Sequence, residues 1–145
     1  MLDLRLEIGN AQYLRAASCY VRMKVFVLER ALALSEEFDQ NDTADTVYCV
    51  LFAGSLPVAT ARLLTEAAGI ARIGRVATID GYRGKHLGSQ VIRALENLAL
   101  EKEFKQIWIH AELTAAVFYE KLGYLRDGEL YEEDGVPCIT LVKRI

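Results

Sequence analysis

Arg72-Ile-Gly-Arg-Val-Ala-Thr-Ile-Asp-Gly-Tyr-Arg-Gly-Lys-His-Leu-Gly-Ser89 decides the fold of this 145-residue chain. Its first part continues a β-rich run, Ile70–Thr78, interrupted by Gly74. A glycine inside a strand marks a bulge or the close approach of another backbone. Asp80-Gly81 breaks the strand, and Gly84 and Gly88 follow. Leu87, Val91, Leu95 and Leu98 then lie on one face of a helix running to about Lys102. The order is strand, bulge, glycine-bearing turn, amphipathic helix. Helix N-termini carry unpaired N–H groups and a positive dipole end, so this turn is a candidate anion site. Arg83 and Lys85 would add charge to a dipole worth about 0.3–1 kcal/mol. The spacing is neither a Walker loop, for want of GxxxxGK[ST], nor the Rossmann GxGxxG. Three glycines before a helix also serve purely structural ends.

Working outward, Leu2, Leu4, Leu6 and Ile8 alternate with charges in the period-two pattern of a half-buried strand. Asn10 is placed to cap a helix in which Leu14, Ala17, Val21, Val25 and Leu28 recur at helical spacing. Residues 34–45 read as a polar loop with a short helix. Thr46–Ala53 and Pro57–Thr65 read as strands joined by Gly54-Ser55, and Gln106–Ala111 as another. Thr114 can cap a short helix, Ala115–Leu122, ending at Gly123. Glu129–Glu133 and Val136–Val142 flank Asp134-Gly135, a two-residue hairpin signal. The fold class is a mixed α/β (α+β) domain spanning 1–145, long enough to bury roughly 70% of its unfolded surface.

Charge is unevenly spread. The net value is −3, which speaks against a general nucleic-acid or anionic-membrane binder. Yet Arg72, Arg75, Arg83, Lys85 and Arg93 fall together with only Asp80 among them. Six acids lie between Glu29 and Asp45 and five between Asp127 and Asp134. That pattern suggests an anion site in the middle of the chain and cation-attracting surfaces on either side. Cys19, Cys49 and Cys138, without CxxC spacing, fit a reduced cytoplasmic setting. No apolar run reaches the ~18 residues of a membrane span, the N-terminus does not read as a signal peptide, and no metal site is expected.

Tyr82-Arg-Gly-Lys-His-Leu-Gly88 resembles the R/Q-x-x-G-x-G/A loop of the GNAT N-acetyltransferases, and Phe118-Tyr-Glu-Lys-Leu-Gly-Tyr124 resembles that family's FYEKLGF element. The two stand in the family's order. Val25-Phe-Val-Leu-Glu29 with Glu36-Glu-Phe-Asp39 is similar to its bacterial ElaA- and YjcF-like branch. The resemblance implies a mostly antiparallel sheet splayed at the bulge and flanked by helices, with acetyl-CoA as acetyl donor and no metal. It implies that Val76, Ala77 and Thr78 bind pantetheine through their backbone, and that Arg83, Gly84, Lys85, His86, Leu87, Gly88 and Ser89 hold pyrophosphate. By the same resemblance, Tyr119 falls on the tyrosine that in many members donates a proton to the departing thiolate. His86 replaces a usual glycine, so its side chain must fit near the phosphates or point outward. Glu112 replaces a frequent asparagine.

The acceptor would be a primary amine attacking directly, and the acidic runs suggest a cationic one. Base candidates are Glu36, Glu37, Asp39, Glu112, Glu129, Glu132 and Glu133, none singled out by spacing. His110 reads as a strand-end histidine and Cys138 as packing. A homodimer through the sheet edge or the long helix rests on family analogy. The alternative is a non-catalytic acyl-CoA-binding or regulatory domain, which His86 and Glu112 favour and Tyr119 disfavours.

Overall fold

The computed structural model describes residues 3–145, so Leu2 of the first strand pattern lies outside the described residues. Seven strands form one sheet in the order β1-β2-β3-β4-β5-β7-β6. They are β1 (Leu4–Gly9), β2 (Val47–Ala53), β3 (Leu56–Ala67), β4 (Ile70–Thr78), β5 (Gln106–Glu112), β6 (Leu125–Glu133) and β7 (Val136–Arg144). All neighbours are antiparallel except β4 and β5. That parallel pairing covers only Ile70–Arg72 against Gln106–Trp108, after which the strands part. The sheet is thus splayed, as the family pattern implied.

β2 buries both faces, and its two side-chain sets meet different helices. Tyr48, Val50 and Phe52 pack with Leu14 and Ala17 of α1 (Gln12–Arg22). Leu51 joins the main core with Leu63, Ile73, Ile107 and the Leu87, Val91 and Leu95 stripe of α3 (Leu87–Glu101). Each such aliphatic side chain contributes roughly 1.5–3 kcal/mol when fully buried. Two short helices complete the fold, α2 (Leu34–Glu37) and α4 (Ala116–Lys121). No helix among the described residues is long and apolar enough to cross a membrane.

Turn chemistry follows the sequence closely at two places. Asp134 and Gly135 both take positive φ, 52° and 78°, the requirement of a type I′ hairpin turn. Gly123, at φ +100°, closes α4: its N–H reaches the Glu120 carbonyl and Tyr124 N–H the Tyr119 carbonyl. That pair of bonds is a Schellman cap.

Three expectations need correction. Ala11, not Asn10, precedes α1, and no side chain caps it. Thr114 lies inside a 3₁₀ turn, Leu113–Ala115, and Ala115 begins α4 without a side-chain bond. The α-helical repeat also ends at Arg22, because Met23–Glu29 is π-helical. A π turn holds more residues than the 3.6 of an α turn. Leu28, expected on the apolar face, is therefore carried out to solvent and stands 67% exposed.

Candidate active site

The bulge is real, but its strained residue is not the glycine. Arg62 pairs with Gly74 and Thr60 with Ala77, so β4 holds one residue more than β3 in this interval. Arg75 absorbs the difference at φ +52°, while Gly74 has an ordinary φ and open space where a Cβ would stand. A left-handed arginine costs on the order of 1–2 kcal/mol. Its side chain explains its place there: Nε lies 3.1 Å from Glu37 and Nη2 3.1 Å from Asp39. Beyond the bulge, β3 still pairs one edge of β4 while β5 has parted from the other. The free edge at residues 76–78 offers backbone groups to an extended ligand.

The following loop turns through Gly81, Gly84 and His86, at φ +92°, +77° and +61°. His86 thus adopts the left-handed conformation that a glycine would take without strain, and its side chain is exposed. It stands at the N-cap of α3 without a side-chain cap, and the helix has no acid in its first turn. Gln90 is the first N–H to find a helical carbonyl, that of His86 at 3.2 Å. Among the described residues the N–H groups of Leu87, Gly88 and Ser89 have no partner, which is the condition for an anion site.

These parts share one cleft of about 590 Å³. It is lined by residues 76–78, Arg83, Gly84 and residues 86–89, together with Tyr82, Ala115, Phe118 and Tyr119. Of the residues expected to bind acetyl-CoA, with Tyr119, only Lys85 is absent from the lining. Tyr82, Ala115 and Phe118 were not among them, although Tyr82 and Phe118 open the two motifs that carried the resemblance. A Cβ on Gly88 would stand 3.3 Å from Phe118 Cζ, so the glycine permits the approach of α4 to α3. Tyr119 is buried, packs edge-on against Phe118 and Tyr124 at 5.0 and 6.2 Å, and its hydroxyl has no protein partner among the described residues. Burial pushes its phenol above the usual range.

The basic run is far less free than its sequence suggests. Arg83 donates from Nε to the Thr78 carbonyl at 2.9 Å and from both Nη atoms to Glu29 at 2.7 Å. Arg93 meets Glu96 at 3.4 Å, and Arg72 lies 3.8 Å from Glu66. Only Lys85 of the five has no acidic partner among the described residues. The unpartnered donors here, among the described residues, are therefore the Lys85 ammonium and the backbone N–H groups that open α3.

Four acids of the first acidic run, Glu29, Glu37, Asp39 and Asp42, are likewise paired. Arg22, fully buried, holds Asp42 with two hydrogen bonds of 2.8 and 2.9 Å and Glu37 with one of 2.9 Å. Arg62, also buried, reaches Asp39 and Asp42 at 3.1 and 3.0 Å. Burial by itself would raise the Asp42 carboxyl, but hydrogen bonds from Arg22 and Tyr48 and the Arg22 and Arg62 charges hold it well below the carboxylate range. Burial pushes Glu37 the other way, above its usual value, against Arg22 and Arg75. Arg22 and Arg62 were missed by sequence reasoning. An arginine on the apolar stripe of α1, close to a run of six acids, was the signal. Glu112 pairs with Arg30, whereas Glu129, Glu132 and Glu133 remain exposed on β6. Burial also raises the Cys138 thiol, consistent with packing.

Known proteins share this arrangement. A family model described as an acetyltransferase (GNAT) domain matches residues 15–145. An uncharacterized acetyltransferase of Streptococcus pyogenes is 43% identical over 112 residues, 77% of either chain. The crystal structure of an N-acetyltransferase from Lactobacillus plantarum superposes with a TM-score of 0.94 at 38% identity over 97% of both chains. Escherichia coli ElaA does so at 0.82 and 26% identity over 99% of both. By family model, sequence relatives and fold alike, this chain belongs to the GNAT acetyltransferase family.

Proposed function

We propose that the protein transfers an acetyl group from acetyl-CoA to a primary amine by direct attack. One observation carries this reading: the unpaired N–H groups opening α3 and the buried Tyr119 hydroxyl border the same cleft as the free edge of β4. The helix N-terminus suits a pyrophosphate. The open edge of residues 76–78 suits a pantetheine amide chain laid alongside it. Arg83 now holds the Thr78 carbonyl, so that contact must be exchanged when a ligand amide takes it.

Tyr119 would hydrogen-bond the sulfur as negative charge develops there. Burial makes the phenol a weaker acid, so a bond that strengthens toward the transition state is favoured over full proton transfer. An alkyl ammonium with pKa about 10.4 costs roughly 4–5 kcal/mol to deprotonate at pH 7, so a base is needed on the acceptor side. The ion pairs of Glu37, Asp39 and Glu112 remove three of the acids considered for that role.

Thiol release from acetyl-CoA across a library of primary amines tests the reading. At least one amine should accelerate release, with its acetylated form as product. Acetyl-CoA binding with no acceleration by any amine would instead favour a binding or regulatory domain.

A further inference from the structure

The face of the sheet opposite α3 holds a second constellation. On β5, Ile107, Ile109 and Ala111 point into the main core, leaving Trp108, His110 and Glu112 half-buried on the other side. The β4–β5 pairing ends at Arg72 and Trp108. His110 therefore stands two residues past the point where the strands part, at the level of Gly74 and just ahead of the bulge. The opening between β4 and β5, whose β4 edge runs on to residues 76–78 of the cleft, thus begins beside it.

His110 Nδ1 shares a hydrogen bond of 3.1 Å with Thr140 Oγ1 on β7. Its Nε2 lies 3.6 Å from Glu66 Oε1 on β3, too far for a hydrogen bond. The other Glu66 oxygen is 3.8 Å from Arg72 on β4, and the carboxylate accepts no hydrogen bond among the described residues. With Nδ1–H donated to Thr140, Nε2 and the Glu66 oxygen are two acceptors 3.6 Å apart. A primary ammonium carries three N–H donors and can serve both at once. Trp108 and Tyr131 flank the imidazole at near-perpendicular ring angles, with centroids at 6.4 and 6.5 Å, and hold its orientation. Glu66 and Arg72 also border an open cleft of about 600 Å³ beside the end of β3 that overhangs β2.

We propose that His110 and Glu66 form the acceptor-amine site, with His110 Nε2 as the base. The inference rests on the acetyltransfer reading. Glu66 and the imidazole receive the ammonium, which gives one proton to Nε2. The nitrogen lone pair then forms the C–N bond at the acetyl carbonyl as the C–S bond breaks. The second nitrogen proton ends on the departing sulfur, held by Tyr119, and the imidazolium returns its proton to water. The charged and titratable groups facing the imidazole are Glu66 on β3, Arg72 on β4 and Tyr131 on β6. Beyond them lie Asp127 on β6, opposite Thr140, the Cys138 thiol on β7, and Glu112 on His110's own strand, paired with Arg30.

The chain has only two histidines, so NMR of the imidazoles resolves the question directly. Addition of 1,4-diaminobutane should shift the His110 signals and leave those of exposed His86 in place; an unmoved His110 overturns the site. With an amine that accelerates thiol release, His110→Gln should lower kcat/KM for that amine at least tenfold. It should also change the pH profile of kcat/KM for that amine, with the KM for acetyl-CoA unchanged. Glu66→Gln should raise the KM for the amine while leaving the pH profile in place. A His110→Gln protein with the wild-type pH profile overturns the base assignment. If no amine accelerates release, the acetyltransfer reading falls, while the NMR shift still decides whether the amine site exists.

Discussion

Two regions of this molecule use charge in opposite ways. Around Arg22, Arg62 and Arg75, three guanidinium groups and three carboxylates are folded inside and neutralise one another. At the start of α3 the protein offers uncompensated partial charge from backbone N–H groups, and its nearest arginine is tied to Glu29. Buried pairs are expensive to desolvate and fix geometry. An open helix terminus costs little while it faces water and waits for an anion. In the sequence both regions look alike, as runs of charged residues. Their roles separate only when partners are known.

The sharpest way to break this contrast is Arg22→Met. It would leave Glu37 and Asp42 buried without their main partner and should cost about 3–5 kcal/mol of stability, read from the urea midpoint. Acid acts on the same cluster. The Asp42 carboxyl titrates below its unfolded value of about 3.9. Its contribution is therefore present above pH ~4 and is lost as pH falls toward its folded value. Glu37, shifted upward, opposes this in part. The urea midpoint should drop between pH 4 and pH 2, and Asp42→Asn should flatten that slope.

The cleft should respond in rate and affinity rather than in stability. Tyr119→Phe should lower turnover at least tenfold with acetyl-CoA affinity nearly unchanged; wild-type turnover would remove the hydroxyl from the chemistry. The smallest effect belongs to Glu29→Gln, which frees Arg83 for the phosphates. Acetyl-CoA binding by calorimetry should tighten about two- to fivefold at low salt, the scale of one exposed charge interaction, and the gain should fade as salt rises.

Local rules made much of the fold legible. Period-two alternation located the strands, the α3 stripe located its helix, and Gly123 and Asp134-Gly135 closed their turns as turn chemistry requires. The bulge was marked by Gly74, yet the left-handed residue is its neighbour Arg75. A distant pair of acids holds that conformation, and no local preference reports it. The same distance hid the ion pairs. Arg83 and Glu29 are 54 residues apart and Arg30 and Glu112 are 82. The cleft residues could be named because motif and loop are contiguous. His110 and Glu66 could not be joined, because their meeting depends on sheet register across β3, β4 and β5.

The π-helical segment Met23–Glu29 sets the phase of the residues at its C-terminal end. Glu29 reaches Arg83, on the loop that leaves β4, and the adjacent Arg30 reaches Glu112, at the end of β5. Two neighbouring residues thus moor both banks of the parted strands. Winding the same seven residues as an α repeat, with none removed, would rotate that pair by roughly 100° around the helix axis. Both moorings would be lost together. The winding of this short segment, with Glu29 at its end, thereby sets where both sides of the opening between β4 and β5 are held.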